Sequence, residues 1–262
     1  MTELVVTAGD IVAYRNVVRS TLDIATVAGA SPVHAFVLAH QSFDKALGEV
    51  TPDGEQPAKV HLGQEIRLHR PLRAEERVSV DVAVQGARRE ANGVRVALRS
   101  VIAGADGSPI AELLTAAMLV GATAPEPFGD LPPAATHRGD ASRTTVVTQR
   151  IPVEMPVLYA HVSGDDNPIH LDPDAAQAAG FPGVIAHGIS VLALVCEEAV
   201  DRFAGGDPAR VRGVGVRFAK PVLPDEPLEI AFQPGDGVVC FSCKTPQGPA
   251  LKSGWVELDK EV

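Results

Sequence analysis

Two apolar segments of helical length interrupt a chain that otherwise alternates between apolar and polar residues. They are PVHAFVLAHQSFDKAL (32–47) and PGVIAHGISVLALVCEEAV (182–200), each entered through a proline. From Ile185 to Val200 the apolar residues cover nearly the whole helical circumference until Glu197 and Glu198. A helix of that kind has to be buried rather than laid on a surface. After each segment the period changes to two. Runs such as V-S-V-D-V-A-V (78–84) predict antiparallel strands with one buried face. The first half offers strands at 61–69, 76–85, 93–103 and 109–120, with turns at Asn92-Gly93 and Asp106-Gly107. The second offers 211–219, 227–233, 237–245 and 249–258, with turns at Pro234-Gly235 and Gln247-Gly248. Short helices are expected before each long one, at 10–20 and 154–164.

The two halves repeat at an offset of 150 residues. EIRLHRPLRAEERVSVDV (65–82) laid over GVRFAKPVLPDEPLEIAF (215–232) aligns Arg67 with Arg217, Arg70 with Lys220, Pro71 with Pro221 and Glu76 with Glu226. The same offset brings Pro32 onto Pro182 and Leu38 opposite Gly188. Residues 121–140, rich in Pro, Ala and Gly, carry neither period and read as a linker. The expected architecture is α+β: a long buried helix in each half, wrapped by an antiparallel sheet, with the halves paired as an internal pseudo-dimer.

Composition narrows the function. The chain has 262 residues, 45% of them hydrophobic, enough for a sizeable core. The formal charge of −10 and the scattered Lys and Arg argue against a nucleic-acid partner. No apolar run reaches membrane-spanning length, and MTELVVTAGD lacks the features of a signal peptide, so a cytoplasmic location is expected. The cysteines are Cys196, Cys240 and Cys243. Cys240 and Cys243, three apart on a strand, point to opposite faces, which disfavours a redox or zinc pair.

The halves differ in one place. Tyr159 precedes Pro182 by five residues more than Tyr14 precedes Pro32, and the extra length holds SGDDNPIHLDP (163–173). Its Gly, Asn and Pro make a tight turn that can bring Asp165 and His170 towards one point. A carboxylate and an imidazole sharing one water can do general acid–base work, and histidine titrates near neutrality. Gly188, at the start of the buried helix, offers an N–H for a developing oxyanion, and a glycine there lets a carbonyl oxygen approach. Plainer roles fit the neighbours. Asp172 before Pro173 reads as an N-cap and Asp166 as a solvated neighbour; Asn167 locks the turn. Ser163 and Tyr159 fit either helix-end packing or support of the site, and His187 either a ligand-facing role or a satisfied buried histidine. Asp165, His170 and His187 taken as metal ligands would leave a fourth position open, and no further residue supports that reading. His34, His40, His61, His69, His137 and His161 form no spaced cluster and receive no role.

The series Tyr159-x3-Ser163-Gly164-Asp165-x-Asn167-Pro168-Ile169-His170-x-Asp172-Pro173, then Ala176, Gly180-Phe181 and Ile185-x-His187-Gly188, resembles the hydratase-2 motif of MaoC-like, R-specific enoyl-CoA hydratases. The likeness is strong over 140–262 and weaker over 1–120. It implies a double hot-dog fold: a degenerate N-terminal hot-dog at 1–120 that accommodates the acyl chain, a linker at 121–140, and a catalytic hot-dog at 141–262. It further implies that Asp165 and His170 hydrate a trans-2-enoyl thioester, that Gly188 N–H holds the thioester oxygen, and that Asn167 supports the loop. No cofactor and no metal are implied. Where some members have a serine reaching into the site, this chain has Cys196. Phe36, Leu38 and Phe43 are expected to line part of an acyl tunnel.

The expected partner is an acyl-CoA or acyl carrier protein thioester, met through Arg67, Arg70, Arg73, Arg217 and Lys220 unless these only form a solvated strand face. No nucleic acid or membrane partner is expected, and further pairing into a homodimer fits the class. Two other functions compete: a hot-dog thioesterase, and a catalytically silent acyl-thioester-binding subunit.

Overall fold

The computed structural model describes residues 1–22, 28–51 and 57–259. The first half contains β1 (Thr2–Val6), α1 (Ala8–Val18), α2 (His34–His40), α3 (Phe43–Gly48), β2 (Ala58–Leu68), β3 (Glu76–Glu90), β4 (Gly93–Gly104) and β5 (Pro109–Val120). After β6 (Phe128–Gly129) the second half follows the same plan. It contains β7 (Thr145–Arg150), α4 (Met155–Ser163), an added α5 (Pro173–Ala178), α6 (Gly188–Phe203), β8 (Val211–Phe218), β9 (Pro227–Pro234), β10 (Val238–Thr245) and β11 (Gly248–Leu258). The strands expected from alternation are all present. Cys243 is buried on β10 while Cys240 lies on its opposite, more open face, and both are free thiols.

The two expected sheets are one continuous antiparallel sheet of order β1-β3-β4-β5-β2-β8-β11-β10-β9-β7. The halves join at β2 and β8, where Glu65 faces Gly215, Gly63 faces Arg217 and Arg67 faces Gly213. Residues 150 apart exchange places across that ladder, the isologous pattern of a twofold dimer interface written within one chain. The fold is thus a double hot-dog, with one departure in the first half. The single long helix expected there is broken into α2 and α3 at Gln41-Ser42. Ser42 Oγ lies 3.2 Å from Thr2 Oγ1, so the break is tied to β1. That strand and its counterpart β7 pair with β3 and β9 at the sheet edges. They were not anticipated because five or six residues are too few for alternation to register as a period.

α6 is buried along nearly its full length, as its apolar circumference required. Glu197 and Glu198, which mark the end of that apolar run, are buried as well. Arg15 of α1 reaches Glu197 at 3.0 Å, and Arg19 bridges Glu197 at 2.9 Å and Asp201 at 2.8 Å. This cluster ties the first half's opening helix to the second half's core helix. Residues 121–140 form an extended strap over the sheet. β6 pairs with β3, Ala135 N–H donates to Glu65 Oε1 at 2.6 Å, and His137 packs on Trp255 at 4.6 Å between ring centroids.

Candidate active site

The polar loop begins where α4 ends. Gly164 takes φ +72° at the C-cap, the left-handed conformation that glycine adopts without strain, and its N–H closes on Ala160 O at 2.8 Å. Ser163 Oγ donates to Tyr159 O at 2.7 Å and accepts from Asp165 N–H at 3.2 Å. Asn167 caps a single 3-10 turn, Pro168–His170: its Oδ1 accepts from Ile169 N–H and its own N–H donates to Asp165 Oδ1, both at 3.4 Å. Asp172 caps α5 with Pro173 at the first helical position, as expected, and Asp166 is exposed. The loop is thereby fixed from both ends, with Asp165 half-buried and His170 buried.

Main-chain oxygens set both imidazole tautomers, because a carbonyl can only accept. His170 Nδ1–H donates to Ile185 O at 2.9 Å, which leaves Nε2 as the unprotonated nitrogen. His187 Nε2–H donates to Asp165 O at 2.9 Å, and its Nδ1 is buried without a hydrogen-bond partner. The two rings stack with centroids 3.8 Å apart. Burial lowers the His170 pKa below the ordinary imidazole range, against opposing pulls from the Ile185 carbonyl and Asp165. Burial, with the His170 ring beside it, brings His187 down to about 4. Both rings are neutral near pH 7. One side-chain ligand atom from each of Asp165, His170 and His187 lies within 4.8 Å of the other two, a span that one water bridges with two ordinary hydrogen bonds. The same trio offers ligand atoms for a metal ion, though each imidazole already spends one nitrogen on a carbonyl.

Gly188 opens α6 immediately after His187, so its N–H belongs to the helix turn that has no intrahelical acceptor. The space that its missing side chain leaves is taken by the Phe218 ring. A Cβ here would sit 2.9 Å from Phe218 Cε1. Asp165, His170, Asn167, Ser163, Tyr159, His187 and Gly188 are therefore gathered at one place. Cys196 is not. It lies eight residues further along α6, roughly 12 Å at helical rise, sealed in the core with burial holding its thiol up.

The first half reaches this place through rings that no local pattern singles out. Tyr14 packs on Tyr159 at 5.8 Å, and His34 stacks on Tyr14 at 4.7 Å much as His187 lies against Tyr159 at 4.9 Å. His34 thus stands towards Tyr14, at the start of α2, as His187 stands towards Tyr159 at the start of α6. Part of the shorter first-half loop, residues 23–27, lies outside the described residues. Phe36 and Phe43 are buried ring to ring at 5.6 Å, and Phe36 stacks on His61, which in turn packs on Phe218. Leu38 is buried on α2. Of the basic candidates, Arg70 pairs with Glu76, Arg67 with Glu257 at 3.4 Å, and Lys220 donates to Gln247 O. Arg73 and Arg217 are exposed.

Comparison with known proteins gives this arrangement its class. Residues 134–244 match the MaoC-like domain family. 3-Hydroxyacyl-thioester dehydratase Y of Mycobacterium tuberculosis is 35% identical over 198 residues, which cover 69% of this chain and 64% of that relative. The chain therefore spans less than two thirds of that relative's length. A MaoC-like dehydratase from Phytophthora capsici superposes with a TM-score of 0.80 at 22% identity, over 99% of this chain and 95% of that one. A Mycobacterium tuberculosis protein described as a double hot-dog fold superposes at 0.66 and 14% identity, over 98% and 92% of the two chains. At those identities the two superpositions speak for the fold. No helix among the described residues is long and apolar enough to cross a membrane.

Proposed function

We propose that the protein catalyses reversible syn hydration of trans-2-enoyl thioesters to (3R)-3-hydroxyacyl thioesters. The observation that carries this reading is the convergence of Asp165 with His170, whose Nε2 is left unprotonated, beside the start of α6. A water held between the two loses a proton to His170 Nε2 as its oxygen bonds to Cβ of the enoyl group. The thioester oxygen, taking up enolate charge, accepts from Gly188 N–H at the positive end of α6. Cα then takes a proton back from the same pair on the same face, so the elements of one water are added and the residues return to their starting states. Asn167 and Ser163 hold the loop, while Tyr159 and His187 hold the ring geometry. In this reading, residues 1–120 act as the acyl-accommodating half, 121–140 as the linking strap and 141–262 as the catalytic half, with Phe36, Leu38 and Phe43 on the acyl side. The carrier is CoA or an acyl carrier protein, with Arg73 and Arg217 left to meet its phosphates.

The test is the ultraviolet absorbance of a conjugated trans-2-enoyl-CoA mixed with wild type, Asp165→Asn and His170→Ala. Loss of the enone band without release of free thiol, abolished in both variants, supports hydration by this pair. Thiol release points to a thioesterase instead. No change with CoA or carrier-protein substrates of any length leaves a silent binding subunit.

A further inference from the structure

Among the described residues, His61 is the first-half imidazole packed against the ring that covers Gly188. It sits where the two halves part. The ladder between β2 and β5 slips between His61 and Gly63, and pairing of β2 with β8 begins only at Gly63 and Arg217. A bulge next to a site re-aims a side chain that regular alternation would point elsewhere. Here the His61 ring packs on Phe218 at 4.7 Å between centroids, and Phe218 itself fills the space above Gly188. On its other side His61 stacks on Phe36 at 5.5 Å, which stacks on His40 at the same distance. The Asp165 carboxylate acts on His61 as it does on His170 and His187. Burial of the half-exposed ring among its neighbours, with His40 nearby, lowers the His61 pKa to about 4 against weaker pulls from Gly63 O, Asp165 and the Gln64 side chain. Its Nε2–H is fixed by Gly63 O at 3.1 Å, so Nδ1 is a hydrogen-bond acceptor set among aromatic rings.

We propose that His61 is a specificity-determining residue: it accepts a hydrogen bond from a donor on the acyl chain, a hydroxyl a few bonds beyond the reacting carbons. The inference rests on the hydratase reading above. A plain alkyl chain laid against this wall strands a polar nitrogen away from water, whereas a hydroxyl satisfies it. Sites built to pair with a polar group discriminate strongly against analogues that lack it.

The experiment compares kcat/KM for trans-2-hexenoyl-CoA and its 5- and 6-hydroxy derivatives, using wild type, His61→Phe and His61→Asn. Wild type is expected to favour one hydroxylated substrate by roughly tenfold, the ratio that one net hydrogen bond supplies. His61→Phe keeps the ring stack and should erase or reverse that preference while retaining activity on the plain chain. His61→Asn, which keeps an acceptor, should preserve it in part. Equal loss on all three substrates, or an unchanged ratio in His61→Phe, overturns the proposal. Should wild type hydrate none of them, the hydratase reading fails, and calorimetric binding of hexanoyl-CoA and its 5- and 6-hydroxy derivatives decides the inference separately. Equal affinities would then sink it, and tighter hydroxyacyl binding lost in His61→Phe would uphold it.

Discussion

His187 lies flat on His170, centroids 3.8 Å apart, and its Nε2–H donates to the main-chain oxygen of Asp165 at 2.9 Å. One residue thus touches both members of the acid–base pair, positioning one through ring contact and the other through the backbone. His187→Phe preserves the stacking surface and removes the N–H. We expect kcat to fall about tenfold or more with KM nearly unchanged, the mark of lost positioning rather than lost binding. His187→Asn, which restores an N–H donor, should recover part of the loss in steady-state kinetics.

Asp165→Asn and His170→Ala should each lower kcat by about 10²–10⁴, and the double variant little further, because the two groups act on one water. The pH profile follows from the direction of the His170 shift. With its pKa held below the usual imidazole value, Nε2 is free at pH 7, and kcat/KM should fall only as pH drops below about 6.5. A profile that declines already from pH 8 towards 7 would contradict the assignment.

Stability should also depend on acid. His34, His61 and His187 are each brought down to about 4 by burial, so the folded chain resists protonation that the unfolded chain accepts near 6.5. Between those values the unfolded state binds more protons, and stability is lost as pH falls, by up to about 1.4 kcal/mol per pH unit for each histidine. Urea midpoints at pH 7.5, 6 and 5 should decline in that order, and His34→Phe should flatten the slope.

The Glu197 cluster gives a prediction remote from the chemistry. Its carboxylate is fully buried between Arg15 and Arg19. Glu197→Ala leaves two guanidinium groups short of their shared partner and should cost about 3–5 kcal/mol in denaturant unfolding. A change within experimental error would mean that water reaches the cluster.

Gly188→Ala drives a methyl towards Phe218, whose ring is held by His61 on its far side. Overpacking of this kind costs about 1–3 kcal/mol and should shift the start of α6 enough to lower kcat. Adding Phe218→Leu relieves the contact, so the double variant should regain stability. Regained stability with kcat still low would place the loss in the N–H geometry itself.

Much of this molecule was legible without coordinates. Alternation fixed the strands following each helix, since a sheet with one buried face has a period of two. The constant offset between the halves foretold their pairing, and the turn chemistry of Gly164, Asn167, Pro168 and Asp172 is local enough to be read directly. The edge strands Thr2–Val6 and Thr145–Arg150 were too short for a period to register. What only tertiary structure decided were relationships between distant positions. Glu197 reads as the polar end of a buried helix until Arg15 and Arg19, some 180 residues away, arrive to neutralise it. Cys196 reads as a site residue until helical rise carries it into the core. His34 and His61 show no spacing because their ring partners Tyr14 and Phe218 lie in other elements. The sequence by itself determined the strands after each helix, the buried α6 and the reactive loop, since those depend on neighbours within a few residues. The tautomers of His170 and His187, the wall around His61 and the cover over Gly188 depend on packing between halves, which no local pattern encodes.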